Sequence, residues 1–352
     1  MSFRSPVRLI GATAAAAVGV SMTLLGAPTA QAAPVFTDAL TQVDPFASVN
    51  TDDIVTLGTD CTNTTSGGTE PTVAVVENGP AAVTATAVSG TFANAANVAD
   101  TGSGSANATG NAKIASVGGT LSTMDFTAQS AAQLNNALGT SPNCYRSVTA
   151  GVSFNFQFTV SQPGFLSLES ENVGNATGQI QVFRVVTGAD QTAVQSGGTG
   201  AKFNSDTKVY LSVGTYAGNF QGYAATYDTT GSRSGTTTVH GSFAVAGSQT
   251  EAVSGKAKKY ISTPVARSCA TDTLVPSITK KKNRANKIQQ VTFFVNDKKV
   301  KKVKKIKKGA DVTLSVADDV VVDLVAEVKL FPAKNGKPGK VYEVSASYEA
   351  CS

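Results

Sequence analysis

The chain has 352 residues, a formal net charge of +5, 41% hydrophobic and 15% charged residues, and 33 glycines. That length accommodates two domains with cores of their own, and scarce charge with abundant small residues suits short strands and turns rather than long surface helices. One His, no Trp and four Cys without any C-x-x-C spacing exclude a histidine-rich metal site and a zinc framework.

The first 32 residues read as a signal peptide. Arg4 and Arg8 form a basic n-region, 9–27 is an uncharged run of apolar and small residues, and Ala30-Gln31-Ala32 fits an A-x-A cleavage site. The alternative is an uncleaved anchor, because the run is nearly long enough to span. No later stretch has that character, so the mature chain is expected outside the membrane: secreted, with cell-wall association as the further option. Cys61, Cys144, Cys269 and Cys351 then enter an oxidising compartment. Of the three possible pairings, Cys61–Cys144 and Cys269–Cys351 keep each bond within one expected domain. Each closes a loop that stabilises by on the order of 4 kcal/mol in the chain-entropy model.

A lead-in is expected over 33–50 and a jelly-roll-like antiparallel sandwich over 51–247. Strand-like runs fall at 54–57, 72–76 and 81–89. The stretch 93–119 is poor in large apolar residues and reads as thin strands or mobile loops. Over 126–138, Phe126, Ala128, Ala132, Leu134 and Leu138 all take even positions, which favours a long strand over a helix. The clearest alternation is Val152, Phe154, Phe156, Phe158 and Val160 against Ser153, Asn155, Gln157 and Thr159. Pro163-Gly164 follows as a type II turn, so 152–169 reads as a hairpin with one face on a core. Further strands are expected at 179–186, 208–213, 220–227 and 236–246, with no helix to cross over between parallel strands.

The stretch 248–268 reads as a linker, and 269–352 as a small basic immunoglobulin-like sandwich. That last segment carries 17 Lys+Arg against 9 Asp+Glu, whereas 33–268 carries 10 against 15. Val291, Phe293 and Val295 alternate, and Asn296-Asp297 and Asn335-Gly336 are turn signals.

Two segments resemble known modules. FNFQFTVSQPGFLSLES (154–170), with KVYLSVGTYAGNFQGYA (208–224), resembles the bacterial pre-peptidase C-terminal and related jelly-roll modules of exported proteins. VTFFVNDKKVKKVKKIKKG (291–309) is similar to the Ig-like repeats of secreted actinobacterial proteins. These resemblances imply non-catalytic binding or display modules and name no site.

Lys298, Lys299, Lys301, Lys302, Lys304, Lys305, Lys307 and Lys308 lie within eleven residues, and Lys280–Lys282, Arg284 and Lys287 add to them. Such a strip binds polyanions by counterion release, which makes an anionic envelope polymer the expected partner. The competing role is an edge strand guarded by lysines against sheet-to-sheet pairing. No aromatic residue interleaves with the lysines, so specific nucleic-acid recognition is not expected. Val300, Val303 and Ile306 recur every three residues, which also admits a short amphipathic helix lying on an anionic surface.

Other chemistry is thinner. His240 is the only histidine, on the outward side of its strand, and no G-x-S-x-G elbow accompanies it. Asp52-Asp53 and Asp318-Asp319 are adjacent, so on strands they face opposite ways; Glu169 and Glu171 share a face. No cofactor is expected; loop carboxylates holding Ca²⁺ are the alternative, without EF-hand spacing. Tyr210, Tyr216, Tyr223 and Tyr227 with Phe220 form the candidate sugar-stacking stretch. The expected function is an exported non-enzymatic binding or surface protein that contacts anionic polymer through its lysine-rich domain. The alternatives are a carbohydrate-binding or adhesive protein acting through the larger sandwich, and a hydrolase using Glu169 or Glu171.

Overall fold

The computed structural model describes residues 35–36, 41–53, 61–69, 72–136, 144–185, 191–227, 230–332 and 338–352. The signal peptide at 1–32, the strand expected at 54–57, the end of the strand expected over 126–138 and the Asn335-Gly336 turn lie outside the described residues. Residues 34–352 form one compact unit with two separate hydrophobic cores.

Among the described residues the fold is all-β apart from single turns of helix. Its first part contains β1 (Gln42–Asp53), β2 (Cys61–Thr69), β3 (Val73–Ala74), β4 (Ala82–Asn94), β5 (Gly102–Val117), β6 (Thr120–Asn136) and β7 (Cys144–Val160). There follow β8 (Gly164–Gly174), β9 (Thr177–Arg184), β10 (Gln191–Thr199), β11 (Ser205–Leu211), β12 (Gly214–Tyr227) and β13 (Gly231–Val245). They make two antiparallel sheets, in the orders β10-β9-β12-β7-β1-β3 and β11-β8-β13-β6-β5-β4-β2. From β6 to β9 every connection passes from one sheet to the other, the pattern of a jelly roll.

The alternating run of β7 buries Phe154, Phe156 and Phe158 between the sheets, where Phe154 and Phe156 meet the edge of Phe220 at 5.9 and 4.7 Å. The hairpin expected over 152–169 is not formed. β7 and β8 lie in different sheets, so the Pro163-Gly164 corner is an arch between layers. Gly164 does not take a positive φ. It is needed because a Cβ there would sit 2.3 Å from the Ala244 carbonyl oxygen of β13. Nor is 33–50 a lead-in. β1 starts at Gln42, and Val43 and Val49 are in the core.

The thin stretch at 93–119 holds β5, a 16-residue strand, and its smallness is a packing requirement. A Cβ on Gly104 would lie 2.6 Å from a Val148 methyl, and one on Gly110 2.7 Å from a Val152 methyl. The sheets therefore touch through β7 side chains that already fill the gap.

The second part contains β14 (Ile261–Ser262), β15 (Thr273–Leu274), β16 (Ser277–Ile278), helix α1 (Lys282–Ala285), β17 (Ile288–Val295) and β18 (Lys298–Val303). It ends with β19 (Leu314–Ser315), β20 (Val322–Leu330) and β21 (Val341–Tyr348). The sheet β18-β17-β20-β21 closes over the short pairs β14–β16 and β15–β19 around Phe293, Leu324 and Tyr348. The expected linker at 248–268 is built into this part. Ala257, Tyr260 and Ile261 belong to its core, and Gln249 and Ser254 bridge to Tyr348 and Ser345 of β21. Composition did not signal this because only a few apolar side chains anchor the stretch and backbone pairing does the rest.

Candidate functional site

The lysine run folds as β18 and the turn after it. The left-handed φ values of Asn296 (48°) and Asp297 (63°) make the tight turn out of β17 that short polar side chains tolerate. β18 pairs with β17 alone, so it is the edge of its sheet. A register shift opposite Phe293/Phe294 leaves Val300 unpaired as a bulge, between Lys299 and Lys301. Lysines therefore project to both sides of the edge: Lys301 lies opposite the core residue Phe293, and Lys302 opposite Thr292. Val303 and Ile306 pack against the second core, which seats the strip as strand and loop rather than as the amphipathic helix.

All eight lysines are solvent-exposed. Among the described residues the ion pairs are Arg146–Asp100, Lys208–Glu349 and His240–Asp125, and none involves the strip. Lys301 Nζ donates to the Thr313 carbonyl at 2.8 Å, which fixes one ammonium. The cationic surface continues beyond the run. The Gly309 amide donates to the Thr279 carbonyl, and a Cβ on Gly309 would lie 3.4 Å from Lys280 Cγ, which puts Lys280 beside the end of the strip. Lys281 opens α1, and Arg284 Nη1 reaches the Lys259 carbonyl at 3.4 Å. An edge with this density of cations, none of them ion-paired among the described residues, attracts a polyanion and loses it as salt rises.

The other candidates are redistributed. On the outer face of the second sheet, register sets Asp206, Glu169, His240 and Asp125 in one row across β11, β8, β13 and β6. His240 Nδ1 lies 2.5 Å from Asp125 Oδ1, both about half exposed, beside a shallow depression of about 510 Å³ that Glu171 also lines. No serine or cysteine bonds His240 among the described residues. Nor is any group of three or more His, Cys, Asp and Glu placed there to hold a metal ion. Asp52 and Asp53 end β1, and the Asp318 carbonyl accepts from Arg267 and Cys351. The tyrosine stretch does not act as one cluster. Tyr216 and Phe220 are core, Tyr210 stacks edge-on to Phe165 on the second sheet, and Tyr223 and Tyr227 lie on the outer face of the first. The period-two alternation of β12 separates them.

Cys61 bonds Cys144 and so ties β2 to β7 across the two sheets, with 5.7 Å between the Cα atoms; Cys269 bonds Cys351 at 5.4 Å. Beside the second bond, Arg267 donates to the carbonyls of Asp318 and Val320 at 2.7 and 3.0 Å. Burial lowers its pKa, and the charges of Asp272 and Asp318 oppose that shift.

Among the described residues no helix is long and apolar enough to cross a membrane. No family model matches the chain, and no curated protein matches it. Among solved structures it is similar to the adhesin domain of Epf from Streptococcus pyogenes, at 9% identity and a TM-score of 0.20, over 64% of this chain and 80% of that one. It is also similar to a multidomain structure of extended synaptotagmin 2, at 9% identity and a TM-score of 0.13, over 82% and 90% of the two chains. At these scores neither likeness bears on what the chain binds.

Proposed function

We propose that this is an exported, non-enzymatic binding protein that attaches to anionic polymer of the cell envelope through the lysine edge. One observation supports the reading above the rest: eight exposed lysines on an edge strand and its following turn, with no carboxylate paired to any of them among the described residues. Edge protection alone needs only a few inward or flanking charges. Here the cations continue past the strand, through Lys304, Lys305, Lys307 and Lys308, to Lys280 and α1. The contact is electrostatic, tolerant of ligand sequence and reversible by salt. The two disulfides fit an oxidising compartment, in keeping with the signal peptide read from the sequence.

Co-sedimentation with purified Gram-positive cell wall tests this reading. The mature chain pellets at low salt and is released at high salt. The variant with Lys298, Lys299, Lys301 and Lys302 changed to Gln stays in the supernatant. Equal pelleting of both proteins would overturn it.

A further inference from the structure

The outer face of the first sheet carries a different kind of surface. Register sets Gln195, Gln181, Asn219, Asn155 and Gln42 in a single row across β10, β9, β12, β7 and β1. Their chain neighbours Ile180, Phe220, Phe154 and Val43 fill the core, so the amides point outward. The next row holds Gln179, Gln221, Ser153 and Asp44, and Asp44 is the one formal charge in the two rows.

Part of this surface is fixed in place. Asn219 Nδ2 donates to Asn155 Oδ1 at 2.7 Å, Asn155 Nδ2 donates to Asp44 Oδ2 at 2.8 Å, and Gln221 Nε2 donates to Ser153 Oγ at 3.1 Å. The side chains of Gln42, Gln179, Gln181 and Gln195 make no hydrogen bond among the described residues. Rings flank the rows on both sides. Phe46 lies across Gly151, where a Cβ would be 2.4 Å from its ring and 2.6 Å from Tyr223 Cβ. On the other side Phe183, Gln181 and Gln195 line a depression of about 150 Å³.

We propose that this face binds a neutral, extended polysaccharide lying across the strands. Each amide offers a donor and an acceptor, which pairs with hydroxyl groups that also do both. Strands are spaced about 4.8 Å apart, so the row presents one amide per strand over about 19 Å, a spacing close to one pyranose unit in an extended chain. The flanking rings offer apolar faces to the C–H sides of sugars. An apolar partner would bury the unpaired amides at a cost, and a polyanion would meet Asp44 without a cation on either row. This site is independent of the lysine edge.

Affinity electrophoresis of the mature chain tests the proposal in gels containing hydroxyethylcellulose, xylan or mannan. The buffer holds about 1 M salt, where a Debye length of about 3 Å silences the lysines. The chain is retarded in at least one of these gels. Changing Gln179 and Gln181 together to Ala, both on the sheet surface, weakens retardation about tenfold, and Tyr223→Ala weakens it about two- to tenfold. The quadruple Lys→Gln variant is retarded like the wild type. No retardation in any of the three gels, or retardation unchanged by the glutamine pair, would overturn the proposal.

Discussion

A buried ion pair and a buried phenol each contribute to stability, and each can be tested separately. Arg146 and Asp100 are 1% and 2% exposed and bonded at 2.8 Å; Asn94 Nδ2 also donates to Asp100, and the Phe92 ring lies 5.5 Å from the guanidinium. Asp100→Ala removes the buried carboxylate bonded to Arg146 at 2.8 Å and should cost about 3–5 kcal/mol, read as a lower denaturant midpoint. Tyr348 lies in the second core and donates to the Pro264 carbonyl at 2.9 Å; burial pushes its pKa up to about 12 from 10.0. The folded chain therefore holds the phenol proton more tightly than the unfolded chain. That contribution is whole below pH 10 and is lost as pH climbs through 12. Wild type should lose about 2–3 kcal/mol relative to Tyr348→Phe over that interval. A parallel decline of the two proteins would refute this. At this scale the sequence was least legible. Asp125 lies 115 residues from His240 and Asp100 lies 46 from Arg146; strand register joins the first pair, and the loop between β4 and β5 brings Asp100 to β7 of the other sheet.

Among elements, the strongly alternating strands such as β7 were legible, β1 and β5 were not, and strand partners were not. The alternation of β7 told which residues face the core, because side-chain direction is local. Whether 164–174 pairs with β7 or crosses to the other sheet depends on how two layers stack, and the Pro-Gly corner permits both. The weak apolar content of β5 obscured the strand for the same reason: its small residues answer to Val148 and Val152 on the facing sheet. Gly110→Ala puts a methyl into Val152. Relief of glycine's entropy favours Ala by about 0.5–1 kcal/mol, and overpacking costs about 1–3 kcal/mol, so the strain wins. The substitution should lower the thermal midpoint, and adding Val152→Ala should recover part of the loss. A neutral Gly110→Ala would mean that the two sheets sit further apart than described. The lysine run was plain in the sequence. An edge strand was one of the roles expected for it, and the pairings leave β17 as its sole neighbour.

Across the whole molecule, charge is divided by region. Residues 33–268 carry 10 Lys+Arg against 15 Asp+Glu, and 269–352 carry 17 against 9. On the proposed function, such a division would direct the basic part toward an anionic surface and the acidic part away from it. The most direct measurement is the affinity of the mature chain for a soluble polyphosphate as a function of salt. The account predicts a linear fall of log K with log salt, and a slope shallower by about 3–4 when Lys298, Lys299, Lys301 and Lys302 are changed to Gln. Identical slopes and affinities for the two proteins would contradict it and leave the lysines as edge protection alone.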